Sequence, residues 1–390
     1  MKSPVDVKAV MDAVSDTEEA RSKSIRVHLY LDPTAPDDLV NMVAAAFKTT
    51  AANATVLVED YPTDGRMPDA LADIAVLVAG MSEDTGMLAA DLRSLNTPSL
   101  VVTSLPSTVK YLAKESKYPL LEEDIVSPVR DEEDSDADTT AKLTEPIALS
   151  AGDAERMRDE MGSWIVEVFE DTRLAFANAF PFVRRPLSLE SVRATSVQNA
   201  GIGLVVILPG ADMPIMTLNQ LKMLLQIAAA YNQPLSLARA KEMLAVVGGA
   251  FGCRALARQL AGLFPGIGWA IKAGIGYGGT AAMGRALIEY FEADGDMAQL
   301  AGKAADATQS IAPSLGVSPD ASVQENLQNA AQSLCGKAED ALQDAARKVA
   351  PFAGSVLKAA AEATGITPQD VANFGKSVVS AVGSNAVKTN

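Results

Sequence analysis

One histidine and two cysteines in 390 residues leave little material for a metal or nucleophilic centre. His28 lies in a strand-like run, and Cys253 and Cys335 stand far apart in helix-like sequence. Neither a zinc site nor a Ser-His-Asp triad can be assembled from that stock, and no catalytic residue, metal or cofactor is expected. The absence of a disulfide framework fits a reducing cytoplasm. Aromatics make up 5% of the chain against 48% apolar residues, so the hydrophobic bulk is Ala, Val, Leu, Ile and Met, a palette suited to helices. No glycine precedes Gly65. The turn after the first strand-like run reads Asp32-Pro33-Thr34-Ala35-Pro36-Asp37-Asp38. It has no glycine and no lysine, its prolines lack an N–H, and its acids repel phosphate, which excludes a P-loop there. The first residues carry acids and no uninterrupted apolar core, so a short amphipathic helix with Val7, Val10, Met11 and Val14 on one side is expected over 1–24, not a signal peptide.

What is present is an uneven charge. The whole chain carries −16, yet residues 181–290 hold ten Lys/Arg against four Asp/Glu. That balance of +6 leaves −22 on the remainder. The acidic total excludes a protein that coats nucleic acid. A basic, apolar centre suits an anionic membrane surface, or a helical bundle with arginines on its wet face.

Along the chain, residues 25–152 alternate between strands and helices. Strands are expected at 24–31, 55–60, 73–80, 99–104 and 145–150, with helices over 39–48 and 82–95. The run 73–80 is apolar throughout, as in a strand buried on both faces. This alternation predicts a doubly wound α/β layer with a largely parallel sheet. The run 122–138 holds nine acids and one base, and is expected to be a disordered insertion. Ser150 and Asp153 have capping-box spacing, so a helix is expected to begin there and run to about Phe180, interrupted by Pro181 and Pro186. A helical domain then spans 153–295, and an Ala-rich amphipathic helical tail 296–390. The fold class expected is α/β plus all-α.

Two features of the helical region bear on chemistry. Gly274, Gly276 and Gly279 match G-x-G-x-x-G, but helical sequence on both sides lacks the strand that a dinucleotide fold requires. Glycines four apart, such as Gly274 and Gly278, or Gly248 and Gly252, are better read as places where helices approach closely. The second feature is ILPGADMP at 207–214, where Asp212 sits between two prolines. An acid just before an apolar helix has the properties of an N-cap, and this structural role outweighs coordination or catalysis. Pro209 and Gly210 make the turn. Pro265 and Gly266 repeat it in LFPGIGWAI at 263–271. The result is a pair of helical hairpins with apolar tips at Leu208, Phe264 and Trp269. No run reaches the ~20 uncharged apolar residues of a spanning helix, so tips that dip into one leaflet are expected instead.

The PGAD turn at 209–212, the Leu221-Lys222-Met223 helix, the Tyr231/Pro234 break, PGIGW at 265–269 and the closing Gly284 and Tyr290-Phe291-Glu292 occur in order. Over residues 160–295 the chain resembles the helical domain of unknown function of YcjF-like proteins. In that family the domain often follows an Era-type GTPase domain and is regarded as membrane-associated. The resemblance implies that 25–152 is a degenerate GTPase-like layer. Its phosphate loop is missing, and Thr103-Ser104-Leu105-Pro106 stands where a guanine-reading Asn-Lys-x-Asp would lie.

The function expected is a non-catalytic scaffold or adaptor at the inner face of the cell membrane. Its helical hairpins would dock on anionic lipid and its nucleotide-free α/β domain would bind a protein partner. The alternative is a soluble regulatory adaptor whose tips are buried in its own core or in a homo-oligomer. A divergent GTPase is the third class.

Overall fold

A computed structural model describes residues 7–62, 67–128, 146–205, 212–235 and 280–293, apart from 282. Five apolar runs form strands: β1 Ile25–Leu31, β2 Ala54–Asp60, β3 Ile74–Ala79, β4 Ser99–Thr103 and β5 Ile125–Val126. All pair in parallel, in the order β2-β1-β3-β4-β5. The helices are α1 Val7–Ser22, α2 Asp37–Ala46, α3 Thr85–Ser94, α4 Pro106–Glu115, α5 Ala151–Val168, α6 Arg173–Ala179, α7 Arg184–Val205 and α8 Asp212–Ala230. Residues 283–292 are also helical. The expected parallel α/β layer is therefore present, with further helices.

Alternation along the strands sends successive side chains to opposite sheet faces. Ile25, Val27 and Leu29 of β1 join Val76 and Val78 of β3 in a core shared with α2, α5 and α6. Tyr30, Ala75, Leu77 and Val101 form the other core with Leu88 and Leu92 of α3 and Val109 of α4. All six residues of β3 are buried, as its unbroken apolar run predicts. The α3–α4 layer covers β3 and β4. The described residues of the β2–β3 connection, 61–62 and 67–73, form no helix.

The chain divides into two compact units. One comprises Met11–Ser191 and Leu225–Leu237, and the other includes Val192–Leu224 with residues 280–293. The boundary expected at 152 is corrected accordingly. Met157, Met161 and Ile165 of α5 and Phe176 of α6 are fully buried in the core under the sheet, so these helices belong to the α/β unit.

Further expectations are corrected. Residues 146–150 are not a strand. The place beside β4 is taken by Ile125–Val126, through Val101↔Ile125 and Val102↔Val126. The acidic run is thus ordered at its start, as a 3-10 turn at Glu122–Asp124 followed by β5. Residues 129–138 lie outside the described set. The helix expected to reach Phe180 stops at Val168 and resumes at Arg173. Pro186 does not break α7, because it falls in the first turn, where helical N–H groups have no partner to lose. Helix α4 was not expected, although Pro106 at its first position is a start signal. Met11 points to solvent, whereas Ala13 is buried. The capping box at Ser150 forms as predicted: Asp153 N donates to Ser150 Oγ, and Ser150 N to Asp153 Oδ2. The Ser150 hydroxyl and backbone hold the Asp153 carboxyl below its ordinary range.

Candidate functional site

In an open parallel sheet, ligands bind beyond the carboxyl ends of the strands, where the strand order reverses. Here that place lies between β1 and β3. It is filled by Asp32, the residue after β1, which is 2% exposed. Asp32 Oδ1 accepts from Thr34 N at 2.8 Å and from Thr34 Oγ1 at 2.7 Å. Its Oδ2 accepts from Gly80 N at 2.8 Å and Ser82 N at 3.0 Å. Thr34 Oγ1 in turn accepts from Met81 N at 2.6 Å. The two loops are held so close that a Cβ on Gly80 would stand 2.4 Å from the Thr34 carbonyl carbon. Backbone N–H groups of the kind that cradle phosphate are present, and a carboxylate already occupies them.

The segment Thr103–Pro106, expected to offer nothing to a base, is also closed. Thr103 and Ser104 are buried, Thr103 Oγ1 accepts from Leu105 N at 2.9 Å, and Leu105 packs in the α3–α4 core. Pro106 opens α4.

An open groove lies elsewhere, across β1 and the edge strand β2. It has a volume of about 810 Å³ and is lined by His28, Leu57, Glu59, Asp60, Met67 and Asp69, among others. Leu57, Val58 and Met67 are 46%, 52% and 57% exposed. His28 is 2% exposed, stacks on Tyr30 with ring centroids 4.1 Å apart, and has no hydrogen-bond partner on either ring nitrogen. Two carboxylates flank it: Glu59 Oε2 at 3.4 Å from Nε2 and Asp69 Oδ2 at 4.0 Å from Nδ1. Asp69 is held by its backbone, since its N–H donates to Tyr30 Oη at 3.0 Å and its Oδ1 accepts from Leu71 N. At the far end Tyr61 is buried beside Thr85, and burial pushes its phenol above its ordinary value. A smaller continuation of about 160 Å³ runs past His28 toward Arg26 and Thr55. The open groove falls in the range of about 300–1,000 Å³ usual for ligand sites.

In the helical unit a buried polar cluster joins three segments. Asn199 Nδ2 donates to Thr280 Oγ1 at 3.0 Å, Gln220 Nε2 to the same oxygen at 2.9 Å, and Asn219 Nδ2 to Asn199 Oδ1 at 3.1 Å. A Cβ on Gly284 would lie 2.1 Å from Val192 Cγ2, so these helices approach closely at this glycine.

Helix α8 spans Asp212–Ala230, and Asp212, expected as the cap just before it, is its first described residue. Pro209, Gly210, Pro265, Gly266, Leu208, Phe264 and Trp269 lie outside the described residues, as do Gly274, Gly276 and Gly279. Among the described residues no helix is long and apolar enough to cross a membrane. Sequence reasoning valued Asp32 only as a charge that repels phosphate. Its Asp-Pro-Thr context is an Asx-turn signal that foretells the Thr34 contacts but not those to Gly80 and Ser82. His28 read as an ordinary strand histidine, and nothing in its neighbourhood foretold Asp69, forty-one residues on. Comparisons of the chain with protein-family models, with curated proteins and with solved structures found no match.

Proposed function

We propose that this chain is a non-catalytic scaffold at a membrane surface. In this reading the α/β unit is a nucleotide-free relative of an Era-type GTPase domain that binds a protein partner, and the basic helical region docks on anionic lipid as in YcjF-like proteins. The observation that carries it is the Asp32 carboxylate in the switch-point crevice, with its four donors. A nucleotide phosphate entering there would have to displace a buried carboxylate and then stand beside it. The balance of +6 over 181–290 supports the lipid-facing role.

Flotation of the full-length protein with neutral and anionic vesicles, at low and high salt, tests this. Flotation on anionic vesicles that survives high salt means that apolar tips insert; flotation lost with salt means surface charge alone. Leu208→Asp and Phe264→Asp are expected to abolish the salt-resistant part while leaving the fold intact. Stoichiometric GTP binding by the purified protein would overturn the nucleotide-free assignment.

The soluble adaptor is the second reading, favoured by the buried Asn199–Thr280–Gln220 cluster, which gives the helical unit a polar core of its own. It predicts no flotation under any condition, and unfolding by either aspartate substitution.

A further inference from the structure

We infer that the groove across β1 and β2 is the docking site of a basic, apolar segment of a protein partner, with a lysine or arginine of that segment seated against His28. The inference rests on the partner-binding reading above and gives it a place and a chemistry.

Three observations converge on this groove. First, the sheet face is unfinished. The β2–β3 connection supplies no helix among its described residues, so Leu57 and Met67 face solvent beside a sheet whose β3–β4 half is covered by α3 and α4. Second, His28 is almost wholly buried at the floor with both ring nitrogens lacking hydrogen bonds, and it lines both the groove and its continuation. A buried polar group left in this state is costly, and a ligand that bonds to it recovers that cost. Third, the two carboxylates beside it, Glu59 and Asp69, share one sign, Asp60 adds a further acid at the groove's rim, and Arg26 is set apart beside the smaller continuation.

A cationic side chain matches all three. Its N–H donors reach carboxylates that have acceptor capacity to spare, and a neutral imidazole nitrogen accepts as well. The methylene stem of lysine or arginine lies along Leu57 and Met67 in the way such stems cover apolar surface. An anionic segment would meet the Glu59 and Asp69 carboxylates at close range, and a purely apolar one would leave His28 and these acids buried without partners. Because β2 is the edge strand, an extended segment can also lie alongside it. Asn53 O accepts from Ile25 N, and Tyr61 N donates to Leu31 O. Odd-numbered β2 residues therefore point their backbone groups at β1, and Val56, Val58 and Asp60 point theirs at the open edge. Main-chain pairing there would supply affinity, and the His28 seat selectivity.

The sole histidine is its own reporter. Full-length protein carrying isotope-labelled histidine gives one imidazole signal, followed by NMR during titration with a short peptide alternating lysine and leucine and with its glutamate–leucine counterpart. A saturable shift of the His28 signal with the lysine peptide alone is expected, weakened about tenfold or more by Glu59→Lys with Asp60→Lys. The milder Glu59→Gln, which preserves shape, should weaken it in the same direction. No saturable shift, an equal shift with the glutamate peptide, or indifference to both sets of variants would overturn the inference. A photo-crosslinking residue placed in cells at Leu57, and separately at Tyr111 on α4, distinguishes this failure from failure of the scaffold reading. Adducts from Tyr111 with none from Leu57 would sink the groove and keep the partner. Adducts from neither position, together with a silent His28, would count against both.

Discussion

Asp32 and His28 are four residues apart, equally buried at 2% exposure, and treated oppositely by the fold. The carboxylate receives four hydrogen bonds from two loops, while the imidazole makes none and has two carboxylates 3.4 and 4.0 Å away. The contrast separates two uses of a buried polar group. Where every donor and acceptor is matched internally, the group closes a site and stabilises the fold. Where the fold leaves it unmatched beside an open groove, the missing interactions are available to a ligand. By this measure the usual ligand position of a parallel sheet is shut, and the open groove at the β2 edge is where the inference above seats a partner.

The largest expected effect tests the closed side. Asp32→Ala leaves the Thr34, Gly80 and Ser82 N–H groups without their acceptor and should lower stability by about 3–5 kcal/mol in urea unfolding. If it costs under about 1 kcal/mol, water replaces the carboxylate and the crevice is not sealed by it. Next comes Gly80→Ala, whose methyl would collide with the Thr34 backbone and should cost about 2–3 kcal/mol by overpacking. The open side predicts the reverse behaviour. His28→Phe keeps an aromatic ring on Tyr30, removes two unmatched nitrogens, and should leave stability within about 1 kcal/mol of the parent or raise it. A large loss would mean that the imidazole is already held by its two carboxylates, and the contrast with Asp32 would fall.

The smallest effects are pH-dependent and concern two carboxyls near α5. Burial raises the Asp124 carboxyl above its ordinary range, against a lowering by the Trp164 indole, which donates to Asp124 Oδ1 at 3.0 Å. A folded-state pKa raised above the unfolded one favours the folded form while the group is protonated. That contribution is present below about pH 4 and lost as pH rises through the folded pKa. Asp124→Asn keeps the acceptor for Trp164 and should therefore gain on the parent as pH rises. Asp153 has the opposite sign: its folded pKa is lowered, so its contribution is present above about pH 4 and disappears as pH falls through the folded value. Ser150→Ala should thus lose more stability at neutral pH than in acid, where only the cap bond from Asp153 N separates it from the parent. Thermal melts across pH check both, and parallel curves for the two variants would refute the assignment.

How much of this could be read without coordinates depends on the range of the interaction. Strands β1 to β4 were legible because β-branched apolar runs are local, and so was the Ser150–Asp153 box, whose partners are three residues apart. The fifth strand was not. EPIALS has the better strand pattern, yet Ile125–Val126, inside an acidic run, pairs with β4, since two residues are enough once a sheet edge is waiting. The break at 169–172 in an otherwise helical pattern was equally hidden, because the periodicity continues on both sides of it.

The same division holds for the sites. The local sequence at 32–38, without glycine or lysine, argued against a P-loop, and one histidine with two distant cysteines argued against a zinc centre or a His-based triad. Charge counting alone located the basic apolar stretch at 181–290. Only the tertiary structure decided that Asp32 fills the crevice and that His28 stands unmatched between Glu59 and Asp69. Those contacts join segments up to fifty residues apart in the chain, and burial, which makes an unmatched nitrogen costly and a matched carboxylate stable, exists only once the strands have packed.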